Sequence, residues 1–192
     1  INHVVCHGIP DDKPLREGDI VNIDLTLVLD GWHGDSSRMY PIGEISRKAE
    51  RLIEVTYASL EAGIAAAKPG NTTGDIGAAI QAVAEDERMS VVRDFVGHGL
   101  GKLFHDEPNI MHFGTPGTGV PLKPGMIFTI EPMINAGRAA ISALADGWTI
   151  VTKDRSLSAQ WEHTVLVTAD GYEVLTVSPG MPARPDLERL SA

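Results

Sequence analysis

Three acidic residues lie in strongly apolar surroundings, where an ordinary surface charge is not expected. Asp24 and Glu131 each interrupt an apolar run, at 20–29 and 126–134, and Glu162 directly follows a tryptophan and precedes a valine-rich segment. A buried charge without a partner costs several kcal/mol. We therefore expect these three carboxylates to bind cations.

A fourth acid, Asp35, is placed beside Asp24 by a predicted turn. If Asp30 and Gly31 form a two-residue hairpin turn, Asp24 pairs with Ser37, and Asp35 is its diagonal neighbour on the same face. Diagonal positions lie ~7 to 8 Å apart at Cα, so both side chains can reach one cation cluster. Taken singly, either aspartate would be interpreted as a turn or surface carboxylate.

An imidazole completes this set of candidate ligands. His98 lies between two glycines, which let the backbone approach a site closely. Four carboxylates and one imidazole suit two divalent ions, because without cations the acids repel one another and some stay protonated. The oxygen-rich donors fit Mn, Fe, Co or Zn without selecting among them. Such ions lower the pKa of water toward neutrality, which is the chemistry of hydrolysis.

Other conspicuous residues are predicted to have no chemical role. Cys6 adjoins His7, but neighbours on an extended segment point to opposite faces, so we expect the thiol to be packed. Residues 97–102 lack the glycine spacing of a phosphate loop, and Leu103 occupies the position that requires Ser or Thr. His163 is expected to face away from the acids. The remaining histidines are interpreted as surface or loop residues: His3, His33 and His112.

Two helices and a series of strands must position the acids. Apolar alternation predicts a hairpin over 19–42, and three- and four-residue apolar steps predict helices at about 46–68 and 73–87, capped by Ser46 and Thr73. Further strands are predicted at 91–96, 126–135, 148–152, 161–168 and 172–177, with loops at 97–101 and 108–121.

A faint internal repeat relates two of the acids. Segments 15–24 and 122–131 share the pattern leucine, base, any residue, glycine, any residue, isoleucine, two residues, isoleucine, acid. Strand entries often look alike, so a chance match stays open. The repeat indicates two similar halves that meet at an acidic centre.

Composition indicates one globular domain, predicted at 1–178 with a tail at 179–192. The chain has 192 residues, 43% hydrophobic and 22% charged, and its net charge of −10 with scattered bases argues against a nucleic-acid partner. No apolar run reaches the ~18 residues of a membrane span. The single Cys6 favours the cytoplasm, and the abrupt start at Ile1 suggests a fragment or a processed form.

The chain resembles the type I methionine aminopeptidases of bacterial type over residues 2–177, and seven ordered motifs carry the resemblance. They are Cys6-His7-Gly8-Ile9-Pro10, Asn22-Ile23-Asp24-Leu25-Thr26, His33-Gly34-Asp35, Gly97-His98-Gly99-Leu100-Gly101, Phe104-His105-Asp106-Glu107-Pro108, Phe128-Thr129-Ile130-Glu131-Pro132-Met133 and Ser156-Leu157-Ser158-Ala159-Gln160-Trp161-Glu162-His163-Thr164. The resemblance implies the pita-bread fold, an α/β (α+β) architecture. Its two pseudo-twofold-related halves have an antiparallel β-sheet covered by helices.

The resemblance also implies which of two divalent metal ions each acid and His98 bind. Carried over by position, Asp24 chelates one metal, Asp35 and Glu162 bridge both, and His98 with Glu131 completes the other. Glu131 is also the expected proton shuttle.

Four further residues match positions that contact substrate in that family. His105 would hydrogen-bond the scissile carbonyl and His7 the scissile nitrogen, while Phe104 and Trp148 would line the methionine pocket. Family members normally carry an additional N-terminal segment that completes this pocket, and it is not seen before His3. Asp106 stands where the family usually has glutamate, outside the ligand set.

The implied reaction is removal of the initiator methionine from nascent proteins, with a preference for a small second residue. The implied partner is the N-terminal methionine of the nascent chain, and the resemblance also implies association with the ribosome. The protein is expected to be a cytoplasmic monomer. It is expected to bind no specific nucleic acid and no membrane. Two alternatives stay open: a proline-specific peptidase of the same fold, and an inert pita-bread module that binds partners.

Overall fold

Antiparallel ladders and two helices form the computed structural model, which describes residues 1–177. Residue 178 and the predicted tail at 179–192 lie outside the described residues. The strands are β1 Val4–Cys6, β2 Ile20–Leu29, β3 Trp32–Pro41, β4 Ser90–Val91, β5 Gly97–Gly99, β6 Asp106–Ile110, β7 Ile127–Ile130, β8 Met133–Asn135, β9 Ile141–Ala143, β10 Ile150–Thr152, β11 Ser158–Gln160, β12 His163–Val167 and β13 Tyr172–Val174. Helix α1 spans Arg47–Ala66 and helix α2 spans Thr73–Asp86.

The predicted hairpin is confirmed in its bounds and in its register. Strands β2 and β3 pair Leu29 with Trp32 and Asp24 with Ser37, so Asp35, opposite Thr26, is the diagonal neighbour of Asp24. The turn residue Asp30 has φ of 50°, the left-handed backbone that a tight hairpin turn requires. The hairpin therefore presents both aspartates on one face.

Both predicted helices are present, and each begins at a capping residue. Ser46 accepts a hydrogen bond from the Ala49 N–H at 3.2 Å, as predicted. For α2 the cap is Thr72 and not Thr73, because the extended backbone ends at Thr72 and Asp75 accepts its N–H at 2.7 Å. The helices pack their apolar sides against the strands through fully buried side chains: Leu52, Leu60, Ile76, Ile80 and Phe128.

The strand predictions are less accurate where glycines allow close backbone contact. The segment predicted as a strand at 91–96 is a strand only at β4, and the predicted glycine loop contains strand β5. A Cβ atom on Gly97 would lie 2.4 Å from the Thr129 carbonyl oxygen, and one on Gly99 would lie 2.2 Å from that of Glu107. Only glycine lets β5 lie between its two neighbours.

The ligand candidates are connected by one larger sheet and one bridge. The sheet has the order β13-β12-β7-β5-β6, and the segment predicted as a strand at 126–135 divides into β7 and β8 at Glu131 and Pro132. An isolated antiparallel bridge between Ser37 and Glu162 joins the hairpin to this sheet. In the described part of the chain, neither helix is long and apolar enough to cross a membrane.

Candidate active site

Backbone contacts between the hairpin and the segment before β12 bring the first acids together. The Ser37 N–H donates to the Glu162 carbonyl at 3.4 Å, and the Glu162 N–H donates to the Ser37 carbonyl at 3.1 Å. Two residues further along each segment, the Thr164 hydroxyl accepts the Asp35 N–H at 3.1 Å and donates to the Asp35 carbonyl at 2.8 Å. These paired contacts place Asp35 next to Glu162.

Three buried side chains form a group that can hold a metal ion. Asp35, His98 and Glu162 each offer one ligand atom, and these atoms all lie within 4.8 Å of one another. The His98 Nε2 atom lies 3.9 Å from Asp35 Oδ2 and 3.7 Å from Glu131 Oε1. The His98 Nδ1 atom lies 3.0 Å from the Gly99 carbonyl oxygen, so an Nδ1–H donates there and Nε2 is left as a lone-pair donor toward the acids.

Two hydrogen bonds hold the Glu131 carboxylate beside His98. The Thr129 hydroxyl donates to Oε1 at 2.8 Å, and the Gln160 amide donates to Oε2 at 3.2 Å. Thr129 also accepts the His98 N–H at 3.0 Å, so one hydroxyl connects both candidate ligands. Each carboxylate oxygen keeps a lone pair for a further contact.

Asp24 completes the acidic group from the exposed side of the site. Its carboxyl lies close to that of Glu162, and it is the diagonal neighbour of Asp35 on the hairpin face. Burial, with the charge of Asp35, raises the pKa of Asp24 to about 6. Carboxylates this close to one another disfavour each other's charged form, and a bound cation would remove that penalty.

The pKa shifts of the other acids and of His98 also favour bound cations. Burial raises the pKa of Glu131 to about 8 and the pKa of Glu162 well above its ordinary value, and neighbouring carboxylates add to both shifts. Burial also raises the pKa of Asp35 and lowers the pKa of His98. Four converging oxygen ligands and one neutral imidazole nitrogen fit divalent ions, which would neutralise the charge that burial penalises.

Two aromatic residues lie on the open side of His98. The His105 ring centroid is 4.4 Å from that of His98, and the Phe104 ring meets His105 at 4.1 Å and His98 at 5.5 Å. Both Phe104 and His105 are exposed. They lie on a surface that a substrate can reach directly above the acids.

A second pair of rings contains His7 and Trp148. These rings stack at 4.2 Å with an interplanar angle of 13°, and Phe95 meets the His7 ring edge-on at 5.5 Å. The backbone of His7 is left-handed, with φ of 58°, so the residue is held in a conformation that a non-glycine residue adopts at a cost. Burial raises the pKa of the Cys6 thiol to about 12, in agreement with a packed, unreactive cysteine.

Sequence reasoning missed the side chains that support Glu131. Thr129 precedes Glu131 by two positions, a spacing that places two residues of an extended segment on one face, so strand periodicity could have indicated it. His112 lies in the loop after β6, as predicted, but it is not a surface residue, because it is fully buried and its Nε2 accepts the Glu131 N–H at 3.2 Å. No local pattern marks it. His33 is half-buried, and its ring stacks on Phe104.

The chain resembles known proteins over nearly all of its described length. The model of metallopeptidase family M24 matches residues 1–169. Methionine aminopeptidase of Rickettsia prowazekii is 59% identical over 180 residues, which are 93% of this chain and 70% of that protein. Methionine aminopeptidase B of Synechocystis is 56% identical over 179 residues, 93% of this chain and 65% of that protein. The chain thus spans about two thirds of the length of these relatives.

Solved structures agree with the sequence comparison. The crystal structure of the Rickettsia prowazekii methionine aminopeptidase superposes with a TM-score of 0.90 at 58% identity and covers 92% of this chain and 71% of its own. The prolidase of Pyrococcus horikoshii superposes with a TM-score of 0.72 at 22% identity, over 92% of this chain and 45% of its own. The second likeness shows a shared fold alone, whereas the first also shares most of the sequence.

Proposed function

The chain belongs to metallopeptidase family M24 and, within it, to the methionine aminopeptidases with their pita-bread fold, and we propose that it removes N-terminal methionine from nascent polypeptides through the residues described above. The observation that carries this proposal is the convergence of Asp35, His98 and Glu162, with ligand atoms within 4.8 Å of one another. Glu131 and Asp24 adjoin this group through His98 and Glu162.

These five residues would hold two divalent metal ions. Asp35 and Glu162, whose ligand atoms lie within 4.8 Å of each other, would contact both ions. Asp24 would contact one, and His98 with Glu131 the other. When bound, such ions lower the pKa of water and stabilise negative charge on a peptide carbonyl. Manganese, iron, cobalt and zinc all suit this donor set.

Glu131 is the group that we assign to move a proton. Thr129 and Gln160 each hold one of its carboxylate oxygens, so the carboxylate keeps one orientation throughout the reaction. It would accept a proton from the attacking water and pass it to the amine that leaves. A fixed carboxylate needs no reorganisation during this transfer, which is how positioned acid–base groups contribute to rate.

His105 and His7 would act on the scissile peptide from two sides. His105 lies against His98 at 4.4 Å and is exposed, so it can donate a hydrogen bond to the carbonyl oxygen as negative charge develops there. His7, held by its stack on Trp148, would contact the scissile nitrogen as it becomes an amine. Both roles depend on ring orientation, which the neighbouring aromatic rings restrain.

Phe104 and Trp148 would form apolar walls for the methionine side chain. Aromatic faces suit an unbranched, polarisable thioether. A large second residue would displace the scissile carbonyl, and a displacement of ~1 Å can cost ~10²-fold in rate. We therefore include a small second residue in the proposal, together with action in the cytoplasm near the ribosome, where new chains emerge.

A panel of four peptides tests the proposal. Met-Ala, Met-Pro, Met-Leu and Leu-Pro peptides of equal length are incubated with Mn²⁺-saturated protein, and free amino acid is measured. We expect release of methionine to be fastest from Met-Ala and slow from Met-Leu. Rapid cleavage of Leu-Pro with Met-Ala intact would overturn the proposal in favour of a proline-specific peptidase.

The length of the chain requires one control in that experiment. The 192-residue chain is compared with a version extended at its N-terminus to the length of the Rickettsia relative. Methionine release by either version supports the proposed chemistry, and a difference in KM between them measures what the added residues contribute to binding. Absence of cleavage by the extended, Mn²⁺-loaded protein would overturn the enzymatic assignment.

A further inference from the structure

His112 is a fully buried histidine whose two ring nitrogens have different surroundings. Its Nε2 lies 3.2 Å from the Glu131 amide nitrogen and accepts that N–H. Its Nδ1 has no hydrogen-bond partner among the described residues. Because Nε2 must offer a lone pair, the ring proton of the neutral imidazole lies on Nδ1.

The Glu131 N–H needs a side-chain acceptor because the local ladder is interrupted. Strand β7 ends at Ile130, which pairs with His163 of β12, and strand β8 begins only at Met133. Pro132, between them, has no N–H of its own. A buried backbone amide at such a break is left unsatisfied unless a side chain reaches it, and His112 is the side chain that does so.

Helix α2 holds the backbone of His112 in place. A Cβ atom on Gly77 would lie 2.3 Å from the Phe113 carbonyl oxygen and 2.7 Å from the Met111 carbonyl oxygen. Glycine therefore lets the residues on both sides of His112 lie directly on the helix. This contact leaves the imidazole little freedom to withdraw from Glu131.

We infer that His112 is a positioning residue, which accepts the Glu131 N–H as the Nδ1–H tautomer and thereby fixes the strand break that directs the Glu131 carboxylate toward His98. The inference rests on the role proposed for Glu131 above. Among the described residues, the group able to hold a metal contains His98 and does not contain His112. Its contribution is exerted through the backbone of Glu131 and not by contact with a metal or a substrate.

The tautomer is tested directly by long-range ¹H–¹⁵N NMR spectra of the 192-residue chain without metal. We expect the Nδ1–H form for His112, which is the less common form of a neutral histidine. The Glu131 amide should also be protected from hydrogen exchange in wild type. A His112 ring in the Nε2–H form, or an unprotected Glu131 amide, would overturn the inference whether or not the protein hydrolyses peptides.

Substitutions test the consequence for the site. Gln can place an acceptor where Nε2 lies, whereas Leu has none and Asn is too short. His112→Leu should weaken Mn²⁺ binding and lower kcat by ~10-fold or more while KM changes little, as is typical when a supporting contact of a ligand is lost. His112→Gln should restore both quantities to near wild type.

The readouts separate this inference from the proposed function. Mn²⁺ binding is measured by calorimetry on wild type and each variant, and kcat and KM on a Met-Ala peptide. If wild type binds Mn²⁺ but releases no methionine, the proposed function fails and calorimetry still decides the role of His112. If His112→Leu does not fold, the comparison is His112→Gln with His112→Asn, and equal Mn²⁺ affinity and kcat in that pair would overturn the inference.

Discussion

Asp35 and His105 lie within one site, yet the structure gives them different tasks. Asp35 is buried, lies in the group able to hold a metal and is hydrogen-bonded by Thr26 at 2.9 Å. His105 is exposed, lies outside that group and contacts the His98 ring. We expect Asp35→Asn to reduce Mn²⁺ binding, and His105→Ala to leave Mn²⁺ bound while kcat falls ~10²-fold or more.

Calorimetry with Mn²⁺ and steady-state kinetics on a Met-Ala peptide check this pair of variants. Glu162→Gln should behave like Asp35→Asn, because both acids belong to the group whose ligand atoms lie within 4.8 Å of one another. Asp86→Asn, at the exposed end of α2 and outside the group of acids described above, serves as the control. Loss of Mn²⁺ from His105→Ala with retention in Asp35→Asn would reverse the assignment.

At the scale of elements, the packing of helix α2 against the loop after β6 requires a residue without a side chain at Gly77. A Cβ atom on Gly77 would meet two backbone carbonyl oxygens, at 2.3 Å and 2.7 Å, and backbone atoms cannot move aside cheaply. Gly77→Ala should therefore lower the free energy of unfolding by ~1 to 3 kcal/mol despite the higher helix propensity of alanine. Urea denaturation measures this loss.

Gly171→Ala is the matched control for that measurement. Its added Cβ would approach only the Thr168 hydroxyl, at 3.9 Å, an ordinary contact. We expect its unfolding free energy to stay near that of wild type. Equal stability of the Gly77 and Gly171 variants would show that the segment beyond β6 can move away from α2, contrary to the packing described here.

Elements with local signals could be predicted from the sequence, and those defined by contacts between distant strands could not. The β2–β3 hairpin and the Ser46 cap follow from alternation, turn residues and capping chemistry within a few positions. Strand β5 owes its pairing to neighbours at Glu107 and Thr129, which no window around Gly97 contains. The buried place of His112 likewise depends on α2 and on the break at Glu131.

The hairpin also leaves an apolar stripe uncovered. Leu25 is 59% exposed and Leu27 is 72% exposed, and in the described part of the chain the outer edge of β2 has no strand partner beside these two residues. Exposed apolar side chains beside a free strand edge promote association between copies. The 192-residue chain should therefore self-associate, and Leu25→Lys combined with Leu27→Lys should reduce this association in sedimentation velocity.

A second double variant separates the stripe from the effect of added charge. Leu144→Lys combined with Leu175→Lys adds the same charge at two exposed leucines elsewhere, 46% and 45% exposed. It should associate as wild type does. A monomeric wild-type chain, or equal association of both double variants, would contradict the prediction.

On the scale of the whole molecule, buried histidines and buried acids give stability opposite dependences on pH. Burial lowers the pKa of His112 to about 3 and that of His163 to about 4, from an ordinary 6.5. Unfolding therefore binds protons below pH 6.5, and this part of the stability rises with pH up to that value and is constant above it. Burial raises the pKa of Glu131 to about 8 from 4.5, so the folded chain binds the extra proton and its stability falls as pH rises through that window.

Between about pH 6.5 and pH 8 the acids therefore decide the stability of the metal-free chain. The raised pKa values of Glu131 and Glu162 both lower stability as pH rises there, against the single Ile1 amine, whose lowered pKa acts in the opposite direction. We expect the melting temperature in EDTA to fall from pH 6.5 to pH 8, and Glu131→Gln to flatten this decline.

Mn²⁺ binds the deprotonated carboxylates, so with Mn²⁺ the melting temperature should be higher than in EDTA, and this difference should grow with pH. An EDTA melting temperature that rises over this range in wild type, or a Mn²⁺ gain that shrinks with pH, would show that Glu131 and Glu162 are not buried beside other acids as the structure places them.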